Sequence, residues 1–114
     1  MVAVLEVKEK GEWSATGGKL CFTPSTWADY TEHPYQFAMN PIFARPVARM
    51  ILRNAIFAFE AEGIKPTPFL LAYRWRWGLT GAIHWVKGYG PALVKRAEYA
   101  DQARNLYDDP TFKP

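Results

Sequence analysis

The sequence predicts a mostly or all α-helical protein of about five to six helices. Three junctions place a polar side chain directly before a proline, which is typical of helix starts. Two longer segments repeat apolar residues every three or four positions, as one face of a helix requires. Alternation at period two, which would indicate strands, is poor along the whole chain. These observations together favour the all-α class.

The three polar-proline junctions are Thr23-Pro24, Asn40-Pro41 and Thr67-Pro68. In each pair the first side chain can accept a hydrogen bond from a backbone amide of the first helical turn. Proline suits the first helical position because its missing N–H has no partner there in any helix. We therefore expect a helix to begin at each of these prolines.

Two segments have the pattern of long amphipathic helices. The first follows Asn40-Pro41 and should end near Gly63. Pro46 lies in its first turns and predicts a kink or a restart, so the secure part begins at Val47. The apolar positions of the two segments are Ala48, Ile51, Leu52, Ala55, Ile56 and Phe59 in the first, and Leu93, Ala97, Ala100, Ala103 and Tyr107 in the second.

Shorter helices are predicted at residues 2–9, 24–30, 68–77 and 80–86. Between the first two lies the stretch 10–22, which contains Gly11, Gly17 and Gly18. Glycine permits the left-handed backbone that tight turns need. This stretch therefore predicts an irregular loop or a short hairpin after the first helix.

Length and composition indicate a single domain over residues 1–114. The chain is 49% hydrophobic, enough for one core, and its formal net charge of +3 mildly favours anionic partners. Its one cysteine, Cys21, excludes an internal disulfide. The charged residues Glu6, Lys8 and Glu9 indicate neither a signal peptide nor a transmembrane segment at the start, so a cell-envelope role would need another delivery route.

Four pieces of the sequence occur in the order and rough spacing of lytic transglycosylase-like domains, and they span most of the chain. The pieces are GGKLCFTPSTWADY, NPIFARPVARMIL, PTPFLLAYRWRWG and AEYADQARNLYDD. The chain thus resembles a small, divergent member of the lysozyme and lytic transglycosylase group. The resemblance implies a compact lysozyme-like helical fold and action on bacterial peptidoglycan.

The resemblance also assigns site residues. Glu9-Lys10-Gly11 matches the catalytic glutamate and its following glycine, with Glu6 and Glu12 as rivals for the acid. Tyr99 matches a tyrosine that hydrogen-bonds the glutamate or lines its pocket. Candidate substrate contacts are Tyr73, Trp75, Arg76, Trp77, Tyr99 and Cys21. Two of them depart from the family, since Cys21 stands where it has glutamine and Arg76 where it has asparagine.

Glycosidic bond cleavage needs a carboxyl that delivers a proton to the leaving oxygen. A hydrolase usually adds a second carboxylate, whereas lytic transglycosylases resemble an exception in which one glutamate serves as acid and then as base. No second carboxylate matches a motif here. We therefore expect cleavage of MurNAc-GlcNAc β-1,4 bonds by Glu9, in a transglycosylase or muramidase-like mechanism, by a monomer that uses no cofactor.

Other functions compete with this one. Cys21 and Arg76 also fit a catalytically inactive relative that binds glycan or serves as a structural component of a phage or a cell wall. If Arg76 lay beside Glu9, its positive charge would favour the ionised carboxylate. Glu9 would then have no proton to give as a general acid. A third, weaker hypothesis is binding of single-stranded nucleic acid, because arginines alternate with aromatic residues in the string YRWRW. Two distant histidines, His33 and His84, predict no metal site.

Overall fold

The computed structural model describes residues 1–88 and 94–112, and every regular element in this part of the chain is helical. The α-helices are α1 (Val2–Lys8), α2 (Pro24–Tyr30), α3 (Pro41–Ala61), α4 (Pro68–Lys87) and α5 (Val94–Asp108). A short 3-10 helix, η1 (Tyr35–Met39), precedes α3. The all-α prediction of about five to six helices is confirmed. Leu93, predicted for the last helix, lies outside the described residues.

The chain forms two compact units. One comprises Val2–Ile51 and the other Leu52–Pro114 together with Met1, so the division falls inside α3. The organisation of residues 1–114 as a single domain stays a prediction. Buried apolar residues of the first unit include Leu5, Leu20, Phe22, Trp27, Ala38, Val47 and Ile51, and those of the second include Phe59, Leu70, Leu71, Ala72, Tyr73, Ala100 and Ala103.

All three predicted helix starts are confirmed, and each has its side-chain cap. The Thr23 hydroxyl accepts from the amide of Thr26 at 3.3 Å, and the Thr67 hydroxyl accepts from the amide of Leu70 at 3.2 Å. The Asn40 Oδ1 accepts from the amide of Ile42 at 3.0 Å. A proline follows each cap as the first helical residue. Local chemistry alone therefore set where α2, α3 and α4 begin.

Pro46 does not restart α3, so the predicted secure start at Val47 was too late. The helix runs from Pro41 through Pro46, and its first turn is closed by the amides of Phe43 and Ala44 on the Asn40 carbonyl. Proline in this position leaves the Ile42 carbonyl without its usual donor. Because Ile42 is 76% exposed, water can replace that donor and the helix continues.

The predicted end of α3 near Gly63 is confirmed by its hydrogen bonds. The amide of Ile64 donates to the Phe59 carbonyl at 2.8 Å, and the amide of Gly63 donates to the Glu60 carbonyl at 3.0 Å. Gly63 has a φ of 71°, the left-handed conformation that glycine favours. These are the two bonds of a Schellman C-cap.

The prediction of two short helices at 68–77 and 80–86 is confirmed, since α4 consists of two helical parts that meet at a kink at Gly78. Gly78 has φ 83° and ψ 165°, far from helical values. In a straight helix the 16 residue steps from Phe69 to Trp85 would span about 24 Å. The two ring centroids are instead 5.9 Å apart. The element α4 therefore bends back on itself at Gly78.

The stretch between α1 and α2 is an irregular loop of turns, as predicted, and it contains no strand. Gly18 shows why it needs glycine. A Cβ atom there would lie 2.0 Å from the Ala38 carbonyl oxygen in η1, and Gly18 also has a φ of 72°. The helix before the loop ends at Lys8, one residue earlier than predicted.

Within the part of the chain that the structure describes, no helix is long and apolar enough to cross a membrane.

Candidate functional site

Glu9 directly follows α1 and closes its last turn. Its amide donates to the Leu5 carbonyl at 2.8 Å, and the side chain is half-buried. Its own carbonyl lies 3.7 Å from the Sγ atom of Cys21, within the range of a sulfur hydrogen bond. The structure thus places the main chain of Glu9 beside Cys21, another predicted site residue twelve positions along the chain.

Gly11 packs this turn against the end of the loop. A Cβ atom on Gly11 would lie 2.5 Å from the Lys19 carbonyl oxygen and 2.8 Å from that of Gly18. The Lys19 ammonium also donates to the Gly11 carbonyl at 3.4 Å. Only glycine permits so close an approach of two backbone segments. The glycine of Glu9-Lys10-Gly11 therefore has a physical role in joining the Glu9 turn to the segment before α2.

The two rival carboxylates have different surroundings. The Glu6 side chain is only 10% exposed and bonds Arg45 through both oxygens, at 2.9 Å from Nη2 to Oε1 and 3.3 Å from Nε to Oε2. This hydrogen bond raises the pKa of Arg45 above its usual value. Glu12 is exposed in the loop. Glu6 is therefore part of a two-bond pair with Arg45, whereas Glu12 is open to solvent, and which of the three glutamates is the acid stays a prediction.

A second group of predicted site residues meets between α4 and α5. The Tyr73 and Trp77 ring centroids are 5.2 Å apart, and the Tyr99 ring meets Trp77 edge-on at 5.3 Å. Tyr73 and Tyr99 are 2% and 7% exposed, while Trp77 is half-buried. We call Tyr73, Trp77 and Tyr99 the aromatic cluster. Tyr73 is thus a buried member of the core, and its predicted sugar contact stays a prediction.

Two arginines lie over the aromatic cluster. The Arg76 guanidinium carbon is 4.9 Å from the Tyr99 ring centroid, and that of Arg96 is 5.4 Å from the Trp77 centroid. Each such cation-π contact contributes about 0.5–2 kcal/mol, and the larger values apply where the cation is shielded from water. Arg76 therefore contacts Tyr99. Its predicted pairing with Glu9 stays a prediction, as does the role of Tyr99 as the pocket partner of Glu9.

Sequence reasoning missed several residues of these clusters. Trp85 packs on Tyr73 at 5.4 Å, but the two residues share a neighbourhood only because α4 bends at Gly78. Arg96 and Arg45 looked like ordinary surface charges on helices. No local signal in the sequence could have paired Arg45 with Glu6, which lies 39 positions away. Trp75, which the sequence did single out, is half-buried on α4.

The described residues hold no group of three or more histidine, cysteine, aspartate or glutamate side chains that could bind a metal ion. His33 instead packs against two aromatic rings, at 5.5 Å from Phe37 and 4.9 Å from Phe43. Its backbone carbonyl accepts from the indole of Trp27 at 2.8 Å. The contacts of His33 are thus those of a packing residue.

Comparison with protein-family models, with curated proteins and with solved structures finds no match for this chain. The resemblance to lytic transglycosylases therefore rests on the sequence pieces quoted above.

Proposed function

We propose that this protein cleaves the MurNAc-GlcNAc β-1,4 bonds of peptidoglycan glycan strands, with Glu9 as the single acid and base. The observation that carries the proposal is the adjacency of Glu9 and Cys21. The resemblance assigns the first to the catalytic glutamate and the second to a polar site position. The contact of the Cys21 thiol with the Glu9 carbonyl supports one site built from the end of α1 and the segment before α2.

The position of Glu9 suits proton transfer better than that of its rivals. A general acid must reach the leaving oxygen and be partly shielded from water, because an apolar setting favours its protonated form. Glu9 is half-buried at a helix end, next to a turn that Gly11 packs tightly. Glu6 lies within α1 and not at its end, and Glu12 is exposed.

The single-glutamate route proceeds in two steps. Protonated Glu9 gives its proton to the glycosidic oxygen as the bond to the leaving sugar breaks. The resulting carboxylate then takes a proton from a hydroxyl of the same MurNAc unit as that hydroxyl attacks the anomeric carbon, which yields a 1,6-anhydro sugar. Attack by water instead would yield a reducing end and make the enzyme a muramidase.

Half-buried tryptophans on α4 could supply ring surface for the sugars. Trp75 and Trp77 both keep part of their surface exposed. Tyr73 would support the ring of Trp77 by packing against it, since the two ring centroids are 5.2 Å apart. Trp75 and Trp77 are thus proposed as glycan contacts of the Leu52–Pro114 unit.

A second candidate is a non-catalytic glycan-binding or structural protein of the same group. The contacts at the two departing positions favour it. Arg76, in the asparagine position, covers the ring of Tyr99 at 4.9 Å, and Cys21, in the glutamine position, offers a thiol in place of an amide. A site that lacks both amides would bind a glycan strand without the groups that orient it for cleavage.

The test compares the wild type with Glu9→Gln on purified peptidoglycan, with mass analysis of the released muropeptides. Glu12→Gln is the matched control, because it makes the same change at an exposed carboxylate in the same loop. We expect 1,6-anhydro products from the wild type and from Glu12→Gln, and none from Glu9→Gln. Circular dichroism checks that all three proteins fold.

Each other outcome rejects part of the proposal. Reducing-end products would replace the transglycosylase by a muramidase. Full activity of Glu9→Gln would show that Glu9 is not the general acid. Pelleting with peptidoglycan without any product would favour the non-catalytic candidate. Failure to pellet, with salt-sensitive binding to single-stranded DNA, would reject both glycan candidates in favour of nucleic acid.

A further inference from the structure

Arg45 joins three segments of the Val2–Ile51 unit. It stands in the second turn of α3, and its guanidinium group binds Glu6 in the last turn of α1. The same group lies 5.5 Å from the centroid of the Trp13 ring, in the loop that follows α1. One side chain thus contacts the helix before Glu9 and the loop after it.

The geometry of this contact is that of an anchor. Two parallel N–H bonds from guanidinium to carboxylate fix orientation as well as distance. Glu6 is 10% exposed, so solvent screens its side of the pair weakly. Trp13 is half-buried, and the cation over its ring restrains it further.

The anchor is needed because α1 is short. A helix of seven residues is not stable in isolation, so the direction of α1 depends on what it packs against. Val4 and Leu5 supply apolar burial, but apolar contacts do not fix rotation about the helix axis as a bidentate pair does. Glu9 follows Glu6 by three positions and therefore moves with any rotation of α1.

We infer that Arg45 is a positioning residue for Glu9: by binding Glu6 and covering Trp13, it holds the end of α1 and the following loop in one orientation. This inference rests on the proposed function for its catalytic consequence. Its structural content stands on Arg45, Glu6 and Trp13 alone.

The test uses Arg45→Met, which keeps the alkyl length without the charge, and Arg45→Lys, which keeps the charge without the two-pronged geometry. Arg49→Met is the matched control, because Arg49 is an exposed arginine one turn further along α3. Hydrogen exchange is followed at amides whose bonds lie in the turn and loop, namely those of Glu9, Ala15, Gly18, Cys21 and Phe22. The amides of Thr31 and Asn40, at the ends of α2 and η1, are the reference.

We expect Arg45→Met to speed exchange at the five loop amides and leave the two reference amides unchanged. In muropeptide release it should lower kcat by up to about a hundredfold with little change in KM, since misplaced catalytic groups slow the chemical step. Arg45→Lys should recover part of both effects. Arg49→Met should match the wild type.

Unchanged loop exchange in Arg45→Met would overturn the inference. So would a uniform increase that includes the reference amides, because it would mean a general loss of stability. If Arg45→Met does not fold, the same amides are compared between Arg45→Lys and the wild type. If the wild type releases no muropeptides, the proposed function fails, while selective loop exchange would still support Arg45 as the anchor of the turn.

Discussion

Replacing Gly78 by alanine should destabilise the protein even though the new methyl group meets no neighbour. Gly78 has φ 83° and ψ 165° at the bend of α4, a region that is open almost only to glycine. Apart from its chain neighbours and the nearby backbone of α4 itself, no described heavy atom lies within 4 Å of a Cβ atom built there. Any loss of stability would therefore report backbone strain and not a clash.

The expected magnitude follows from the conformation. Residues held in such regions cost about 1–3 kcal/mol each. The entropy of unfolding is about 2.1 cal/mol/K per residue. For a chain of 114 residues, this cost therefore lowers Tm by about 4–12 °C. The strain cannot relax by straightening α4, because that would separate Phe69 and Tyr73 from Trp85, whose ring lies 5.9 Å and 5.4 Å from theirs.

The chain offers a matched control three residues away. Gly81 lies inside the second part of α4, and a Cβ atom there would meet Trp77 Cβ at 3.8 Å and Tyr73 Cε1 at 3.9 Å, which are ordinary contacts. Gly81→Ala should stabilise the protein by about 0.5–1 kcal/mol, because alanine favours helix over glycine. The same change from glycine to alanine is therefore expected to lower the free energy of unfolding at position 78 and to raise it at position 81.

Urea unfolding followed by circular dichroism and by tryptophan fluorescence measures both variants. Gly78→Ala should lower the midpoint and leave the slope unchanged. A semisynthetic protein with D-alanine at position 78 should recover the loss, since D-residues favour positive φ. Stability of Gly78→Ala equal to that of the wild type would refute the argument from φ and ψ.

Two further predictions concern the ends of helices. Thr67→Ala should lower the free energy of unfolding by about 1 kcal/mol, because it removes the hydroxyl that caps Leu70, whereas Thr67→Ser should lose little; equal urea midpoints for the two would contradict the cap. The hydrogen bond from Lys87 at 2.7 Å holds the pKa of Glu62 below its usual value, so this pair stabilises the fold above the unfolded pKa of Glu62 and loses that effect as pH falls through the folded pKa. Carboxyl NMR titration should show the Glu62 pKa rising in Lys87→Met, and an unchanged pKa would contradict the pair.

The candidate site was only partly open to prediction. Glu9, Cys21 and Tyr99 came from the resemblance of sequence pieces, and the structure added the contact between the first two. Arg45 was not predicted at all. An arginine on the polar side of a helix looks the same whether it contacts water or a buried carboxylate, because its partner lies far away in sequence.

The all-α class and the starts of α2, α3 and α4 could be predicted from the sequence. Thr23, Asn40 and Thr67 cap helices through atoms two or three residues away, so the necessary information is local. The same holds for the end of α3 at Gly63. Short-range hydrogen bonding and backbone preference act within a few residues, and a pattern of a few residues can therefore predict them.

How those helices continue, bend and pair depends on the tertiary structure. It continued α3 through Pro46, because Ile42 is exposed enough for water to replace the missing donor. It folded the two predicted parts of α4 back on each other at Gly78 and paired Glu6 with Arg45. These outcomes depend on burial and on contacts between residues far apart in the chain. Such interactions have no fixed spacing, so they become visible only once the chain is folded.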